Sequence, residues 1–300
     1  MILEMKGIYP CISLSRLCRL LGITRQAYYQ HFWEVSDITI GYQLILDRVI
    51  EIRKIHPAIG GRKLFYLLQS FLLEHQIKIG RDALFDLLAA NKLLVRKRKR
   101  RISTTQSHHW LKKYPNLIKD WHPSKPNELW VSDITYIPLT NGFLYLSLVT
   151  DAYSHKIMGY AVADNLEAMN STKALQMAID NLTEIPDCLI HHSDRGIQYC
   201  SFDYVNTLTQ NNIKISMTEN GDPLENPVAE RVNGILKEEY LRHYPLINLN
   251  QVVELVDDVV DRYNRLRPHQ SINLITPEVV HEKHLLINRT WSKKKQYVTL

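Results

Sequence analysis

The stretch that decides the fold is PNELWVSDITYIPLTNGFLYLSLVTDAYSHKIMGYAVA, residues 126–163. Along residues 129–137 the side chains divide into two alternating sets rich in β-branched and aromatic residues, as is typical of a strand. The dipeptide Asn141-Gly142 is a strong signal for a tight hairpin turn. Two further runs of the same kind, FLYLSLVTDAYS and KIMGYAVA, follow that turn. The stretch therefore predicts three consecutive strands in an antiparallel meander.

Helical and strand patterns alternate after the meander. Residues 167–182 and 201–210 have helical periodicity, whereas 188–191 and 213–217 are short apolar strands. A further amphipathic helix is predicted over residues 249–265. An antiparallel start followed by strand–helix alternation indicates an α/β domain whose sheet is of mixed direction.

Three acidic residues lie in three different predicted contexts. Asp133 is inside the first strand, Asp194 follows a short apolar strand, and Glu230 is in a predicted helix. Residues 195–229, which are 35 positions, separate the second acid from the third. Acids in apolar surroundings are costly unless they are paired or bound to metal, so these placements favour one shared cation. Taken alone, Glu230 is more simply interpreted as part of a solvent-exposed helix face.

Charge is distributed unevenly along the chain. The net charge is +6, but residues 1–120 contain 21 Lys and Arg against 9 Asp and Glu, a net of +12. The remaining 180 residues contain 16 basic against 22 acidic side chains, a net of −6. A basic first part joined to an acidic remainder favours nucleic acid as the partner.

The composition also argues against several classes of protein. No apolar run approaches the roughly 18 to 20 residues that cross a bilayer, and the first residues do not resemble a signal peptide. The four cysteines form no C-x-x-C pair, which favours reduced thiols over a disulfide framework or a zinc site. We therefore expect a cytoplasmic protein.

The sequence SLSRLCRLLGITRQAYYQHF, residues 13–32, has the outline of a helix-turn-helix. Leucines recur at helical spacing, Gly22 interrupts them, and Thr24 can cap a second helix that begins at Arg25. In this basic setting we expect DNA contacts from Arg25 and Gln26. An ordinary pair of packed helices remains the alternative.

A second helical unit is predicted after the first. Residues 38–56 form an amphipathic helix that Pro57 ends, and further helices begin near Gly60 and Gly80. We expect DNA contacts from Arg62 and Lys63, and from the basic run Arg96, Lys97, Arg98, Lys99, Arg100 and Arg101. A solvated tract with no partner is the alternative interpretation of this run.

These patterns predict an α/β protein in which all-α, helix-turn-helix-like DNA-binding units precede a mixed-sheet domain. The predicted parts are a helix-turn-helix-like unit at 1–35, a second helical unit at 36–101, a linker at 102–122, a catalytic domain at 123–285 and a basic tail at 286–300.

Three separate acids suit phosphodiester chemistry. Two hard cations about 3.5 to 4 Å apart can hold both the attacking and the leaving oxygen of an in-line displacement. Mg²⁺ needs only one or two carboxylates in addition to phosphate oxygens and water. Imidazole ligands are less well supported, because His191 and His192 are adjacent in a strand and must face opposite ways.

Four motifs together resemble the DDE transposases of the IS3 group of bacterial insertion sequences, whose catalytic module is similar to retroviral integrases. They are PNELWVSDITYI at 126–137, HHSDRGIQY at 191–199, ENPVAERVNGILKEE with its 35-residue spacing, and RYNRLRPHQSI at 262–272. Upstream, GGRKL at 60–64 and the basic run resemble the second DNA-binding unit of that group.

The resemblance implies an RNase H-like catalytic domain in which Asp133, Asp194 and Glu230 are the catalytic residues and the ligands of two Mg²⁺ ions, or Mn²⁺. Water would first cleave the element's end, and the liberated 3′-OH would then attack another phosphodiester. The resemblance also implies DNA contacts from Asn233, Lys237, Arg267 and His269.

The implied partners are double-stranded DNA, as terminal inverted repeats and as target, a second copy of the chain on DNA, and a companion protein from an upstream reading frame. A bacterial cytoplasm with association to the nucleoid is the implied location. The segment SMTENGDPLENP, residues 216–227, departs from the more basic pattern of many relatives. The alternatives are a catalytically silent regulator that binds element ends and a phage-type integrase.

Overall fold

The computed structural model describes residues 2–95, 110–119, 121–184, 186–219 and 225–287, without the side chains of residue 3 and residues 31–39. The chain divides into two compact units. The helical unit contains Met1–Ile52 and Leu64–Leu94, and the catalytic unit contains Arg53–Lys63 and Val95–Leu300. No helix within the described residues is long and apolar enough to cross a membrane.

Five helices form the first part of the chain: α1 (Ile2–Ile8), α2 (Leu14–Leu20), α3 (Arg25–Ile55), α4 (Gly61–Glu74) and α5 (Arg81–Ala90). The predicted helix-turn-helix outline is confirmed at the level of local geometry. Ser13 caps α2 by accepting from the Arg16 amide, and Gly22 has the positive φ of +72° that the turn requires. Thr24 Oγ1 accepts from the Ala27 amide at 3.0 Å and so opens α3.

α3 differs from the prediction of two separate helices. It is one helix of 31 residues, Arg25–Ile55, and it runs through the boundary predicted between residues 35 and 36. No proline interrupts this stretch, and one internal glycine, Gly41, costs only about 1 kcal/mol. The predicted boundary therefore does not coincide with the end of a helix.

The predicted meander is confirmed as β1 (Leu129–Pro138), β2 (Phe143–Asp151) and β3 (Ile157–Ala163), which pair antiparallel. Two short strands, β4 (Ile190–Ser193) and β5 (Lys214–Met217), complete the sheet in the order β3-β2-β1-β4-β5. β4 pairs parallel with both β1 and β5. An antiparallel meander extended by parallel strands is the mixed sheet of an RNase H-like domain.

Helices cover both faces of this sheet. They are α6 (Ala168–Asp180), α7 (Phe202–Gln210), α8 (Pro227–Ile235), α9 (Leu249–Arg265) and α10 (Pro277–Lys283). α8 continues into a π-helical segment, Leu236–Tyr240, and then into a 3₁₀ turn, Leu241–His243. Another 3₁₀ turn, Gln270–Ile272, precedes α10.

Each face of the sheet has its own apolar core. On one face, Trp130 and Val149 pack with Leu175 of α6 and Leu208 of α7. On the other face, side chains of β1 and β2 pack with α8, the π-helical segment and α9, among them Ile137, Leu146, Val232, Tyr240, Val256 and Tyr263. α8 is therefore fixed against the face of β1 that carries Asp133.

Candidate active site

Asp133 and Asp194 occupy matching places on neighbouring parallel strands. β1 and β4 pair in the register Val131 opposite His192, so two residues further along each strand Asp133 comes opposite Asp194. β4 ends at Ser193, and Asp194 is the first residue after it. Paired residues of parallel strands face the same side of the sheet, so both carboxylates point towards the face that α8 covers.

α8 brings the third acid to this point of the sheet. At its start, Asn226 Nδ2 donates to the Ser132 carbonyl oxygen at 2.9 Å. One turn after Glu230, Asn233 Nδ2 donates to Asp133 Oδ2 at 2.7 Å. Glu230 lies between these two contacts and is exposed. Glu230 therefore lies on a helix that is hydrogen-bonded to β1 at Ser132 and at Asp133.

Burial dominates the electrostatics at Asp133. Desolvation raises the pKa of Asp133 to about 7; the hydrogen bond from Asn233 opposes the rise, and the carboxylates of Asp194 and Glu230 add to it. Burial likewise raises the pKa of Asp194 above its ordinary value, against the hydrogen bond from the Gly196 amide. Like charges brought together in a desolvated site destabilise one another, and a bound cation would relieve them.

The donor set fits a hard divalent cation. Carboxylate and amide oxygens are the protein ligands that Mg²⁺ prefers. Asn233 Oδ1, on the amide that holds Asp133, is buried without a hydrogen-bond partner. As the described side chains are placed, no three His, Cys, Asp or Glu form a ready-made metal cluster. The donor chemistry of Asp133, Asp194 and Glu230 therefore fits a hard cation.

The loop after β4 restrains the Asp194 carboxylate. Asp194 Oδ1 accepts from the Gly196 amide at 2.9 Å. A Cβ added at Gly196 would lie 3.0 Å from that same oxygen and 3.1 Å from Gln198 Oε1. Glycine at this position lets the backbone approach the carboxylate closely enough to donate to it.

The two histidines before Asp194 are core residues. His191 is fully buried, and its Nε2 lies 2.7 Å from Ser132 Oγ and 2.8 Å from the Tyr204 hydroxyl. His192 Nδ1 lies 2.8 Å from Ser216 Oγ. One nitrogen of each ring is thus engaged by side chains of the sheet or of α7.

Several side chains predicted to contact DNA are accessible. The exposed ones in the described residues are Arg25, Gln26 and Arg62. Lys237, in the segment that continues α8, is half-buried. The basic run Arg96–Arg101 lies outside the described residues. Asn233 is only 4% exposed, and its amide is bonded to Asp133.

Lys63, Arg267 and His269 are buried, which is at odds with their predicted contact with DNA. Lys63 Nζ donates to Glu239 Oε1 at 2.9 Å, and Arg267 donates to the same carboxylate through Nε and Nη2 at 2.9 and 3.0 Å. The His269 ring stacks on His155 at a centroid distance of 4.7 Å. Desolvation lowers the pKa of His269 far below its ordinary value, which leaves the ring neutral. Their polar groups are directed at the protein interior.

Glu239 and Asn226 have roles that sequence reasoning does not find. Glu239 stands among charged residues in KEEY, and nothing local distinguishes it from Glu238, which forms a surface pair with Arg242 at 2.6 Å. Asn226 is the N-cap residue of α8, but its side chain makes no capping hydrogen bond and its amide donates to β1 instead. Both roles depend on contacts between distant parts of the chain.

Comparisons with known proteins identify the family of this chain. Residues 123–223 and residues 211–277 each match a family model described as Integrase core domain. An uncharacterized 31 kDa protein of the insertion element IS600 from Shigella sonnei is 33% identical over 274 residues, which are 89% of this chain and 98% of that protein. The transposase InsF for insertion sequence IS3A from Escherichia coli K12 is 34% identical over 179 residues, 59% of this chain and 62% of that protein.

Among solved structures, the catalytic core domain of HTLV-2 integrase in complex with magnesium aligns with a TM-score of 0.42 and 21% identity. The alignment covers 52% of this chain and 97% of that domain. The similarity to the IS600 protein extends along almost its entire length, and both integrase-core models fall on the unit that contains the three acids. The chain therefore belongs to the IS3 group of DDE transposases.

Proposed function

We propose that this transposase binds the ends of an insertion sequence and catalyses metal-dependent DNA cleavage and strand transfer with Asp133, Asp194 and Glu230. The observation that carries the assignment is the register of β1 and β4, which puts two acids opposite each other below the helix of the third. The resemblance to the DDE spacing supports the same three residues.

These three acids would hold two Mg²⁺ ions, or Mn²⁺. When bound, the ions supply an activated water or 3′-OH and neutralise charge at the phosphorus. Asn233 orients the Asp133 carboxylate through its 2.7 Å hydrogen bond. The Gly196 amide does the same for Asp194. Lys237, on the segment that continues α8, would contact a backbone phosphate near Glu230.

The proposed partner is double-stranded DNA, both as the element's terminal inverted repeats and as the target. Contacts to the ends come from Arg25, Gln26, Arg62 and the basic run Arg96–Arg101, which would neutralise phosphates. Bringing two ends together calls for at least two copies of the chain on DNA. A companion protein from an upstream frame is a further proposed partner, and the nucleoid is the proposed location.

The test is a joining assay with the protein, Mg²⁺ and a labelled duplex that carries the terminal inverted repeat of the element encoding the chain. Asp133→Asn, Asp194→Asn and Glu230→Gln should each abolish joined products, because each removes a ligand charge, while binding to the end is retained. Asp187→Asn, at an exposed acid away from β1, should behave like the wild type. Joining by any of the three variants would refute the metal assignment. End binding without joining by the wild type would point to the silent regulator.

A further inference from the structure

The segment Arg53–Lys63, which we call the crossing segment, links α3 to α4 but belongs to the catalytic unit. The chain enters this unit after Ile52 and leaves it again before Leu64. Its sequence, RKIHPAIGGRK, contains the proline that ends the preceding helical pattern, then Gly60, and then Gly61, the first residue of α4. The chain thus passes from the helical unit into the catalytic unit and back again over this short stretch.

Contacts along its whole length fix the crossing segment. Arg262 Nη1 donates to the carbonyl oxygens of Lys54 and Ile55, at 3.3 Å each. His56 Nδ1 lies 2.7 Å from the Tyr240 hydroxyl, and the Ala58 amide donates to the Glu239 carbonyl oxygen at 3.1 Å. Most of these partners lie in the π-helical segment that continues α8.

The strongest of these contacts is a buried ionic network around Glu239. Both carboxylate oxygens accept from Arg267, which is only 2% exposed, and Oε1 also accepts from Lys63 Nζ at 2.9 Å. Pairing with Arg267 and Lys63 lowers the pKa of Glu239 against the opposing effect of burial. Because the three charges are desolvated, removing Glu239 leaves two uncompensated buried cations, whereas removing Lys63 leaves Arg267 paired with Glu239.

Glu239 lies nine positions after Glu230 on one continuous helical segment, a separation of roughly 13 Å at the rise of a helix. The first end of this segment is bonded to β1 through Asn226 and Asn233. Its other end is bonded to the crossing segment through Glu239. π-Helical turns occur frequently at functional sites.

We infer that Glu239 is a positioning residue, and that its network with Lys63 and Arg267 fixes the helix of Glu230 and makes its placement depend on the crossing segment. Because the crossing segment continues into α3 and α4, it is the covalent route from the DNA-binding helices to the third acid. The buried Lys63 thus acts on Glu230 through Glu239 and not on DNA. The catalytic part of this inference rests on the proposed function.

The first test is hydrogen exchange of the full chain without DNA or metal, followed peptide by peptide. Lys63→Met should increase exchange in residues 227–240 and leave α6 and α7 as in the wild type, because Arg267 still neutralises Glu239. Lys63→Arg should restore protection, since it keeps the charge. Lys54→Met, at an exposed lysine of the same segment, is the matched control and should change nothing. This readout does not depend on any enzymatic activity.

The second test compares Glu239→Gln with Glu238→Gln in the joining assay. Glu239→Gln should lower the rate of joining at saturating DNA on the order of tenfold to a hundredfold, as expected for a displaced catalytic group, without changing the affinity for the end. Glu238→Gln should retain the wild-type rate.

Hydrogen exchange that rises equally in every helix of Lys63→Met, or that stays unchanged in residues 227–240, would overturn the inference. A wild type that joins no DNA would refute the proposed function and leave the exchange result standing.

Discussion

Asn233 donates its hydrogen bond to Asp133 from a buried position on α8. We predict that Asn233→Ala lowers strand transfer and raises the Mg²⁺ concentration it requires, with a loss on the order of tenfold to a hundredfold, because groups that orient metal ligands have effects of this size. Affinity for the DNA end should not change. The measurement is a Mg²⁺ titration of joining alongside end binding, with the exposed Asn165→Ala as the control. If Asn233→Ala loses end binding while its Mg²⁺ requirement is unchanged, Asn233 is a DNA contact instead.

Single residues divide clearly into those that the sequence can assign and those that it cannot. The prediction of Asp133, Asp194 and Glu230 depends on local patterns, one spacing and the family motifs, all of which are present in the amino-acid sequence. Lys63 and Arg267 cannot be assigned to Glu239 in this way, because the partner of Lys63 is 176 positions away. A lysine in a basic stretch looks like a DNA contact until its partner is known.

At the scale of elements, the packing of α6 on β3 depends on Gly159. A Cβ at this position would overlap the Ala174 carbonyl oxygen and lie 2.7 Å from the Ala178 amide nitrogen. Both atoms are backbone and cannot rotate away. We predict that Gly159→Ala lowers the free energy of unfolding by about 1 to 3 kcal/mol, as overpacking does.

The matched control for this prediction is Gly234→Ala in α8. An added Cβ at Gly234 meets nothing within 4 Å, and alanine is favoured over glycine inside a helix by about 0.5 to 1 kcal/mol. This variant should be as stable as the wild type or slightly more stable. Urea unfolding followed by circular dichroism measures both. Equal stability of the two variants would show that α6 can move away from β3 at little cost.

Elements with a strong period can be predicted from the sequence, and those set by distant contacts cannot. The meander and α6 follow from alternation and from helical spacing, and both are confirmed. The continuity of α3 does not follow, because a change of amphipathic pattern resembles the end of a helix. The π-helical segment Leu236–Tyr240 has no sequence signal that distinguishes it from α8. Its identity depends on what Glu239 and Tyr240 contact elsewhere in the catalytic unit.

At the scale of the whole molecule, buried histidines couple stability to pH. Desolvation lowers the pKa of His56 to about 4 and that of His191 to about 3, whereas both titrate near 6.5 in the unfolded chain. As the pH falls below 6.5, the unfolded chain binds protons that the folded chain does not bind, so folding becomes less favourable. The raised pKa values of Asp133 and Asp194 act in the opposite direction.

We therefore predict that each of these histidines lowers the free energy of unfolding between pH 6.5 and pH 5, by about 1.5 kcal/mol. His56→Gln should remove the contribution of His56 to this pH dependence, while it keeps a hydrogen-bonding side chain beside the Tyr240 hydroxyl. The measurement is urea unfolding of the wild type and the variant at both pH values without divalent metal. The wild type should lose more stability than the variant, because only the wild type can protonate residue 56 on unfolding. Equal losses in the two proteins would mean that the pKa of His56 is not lowered in the folded chain.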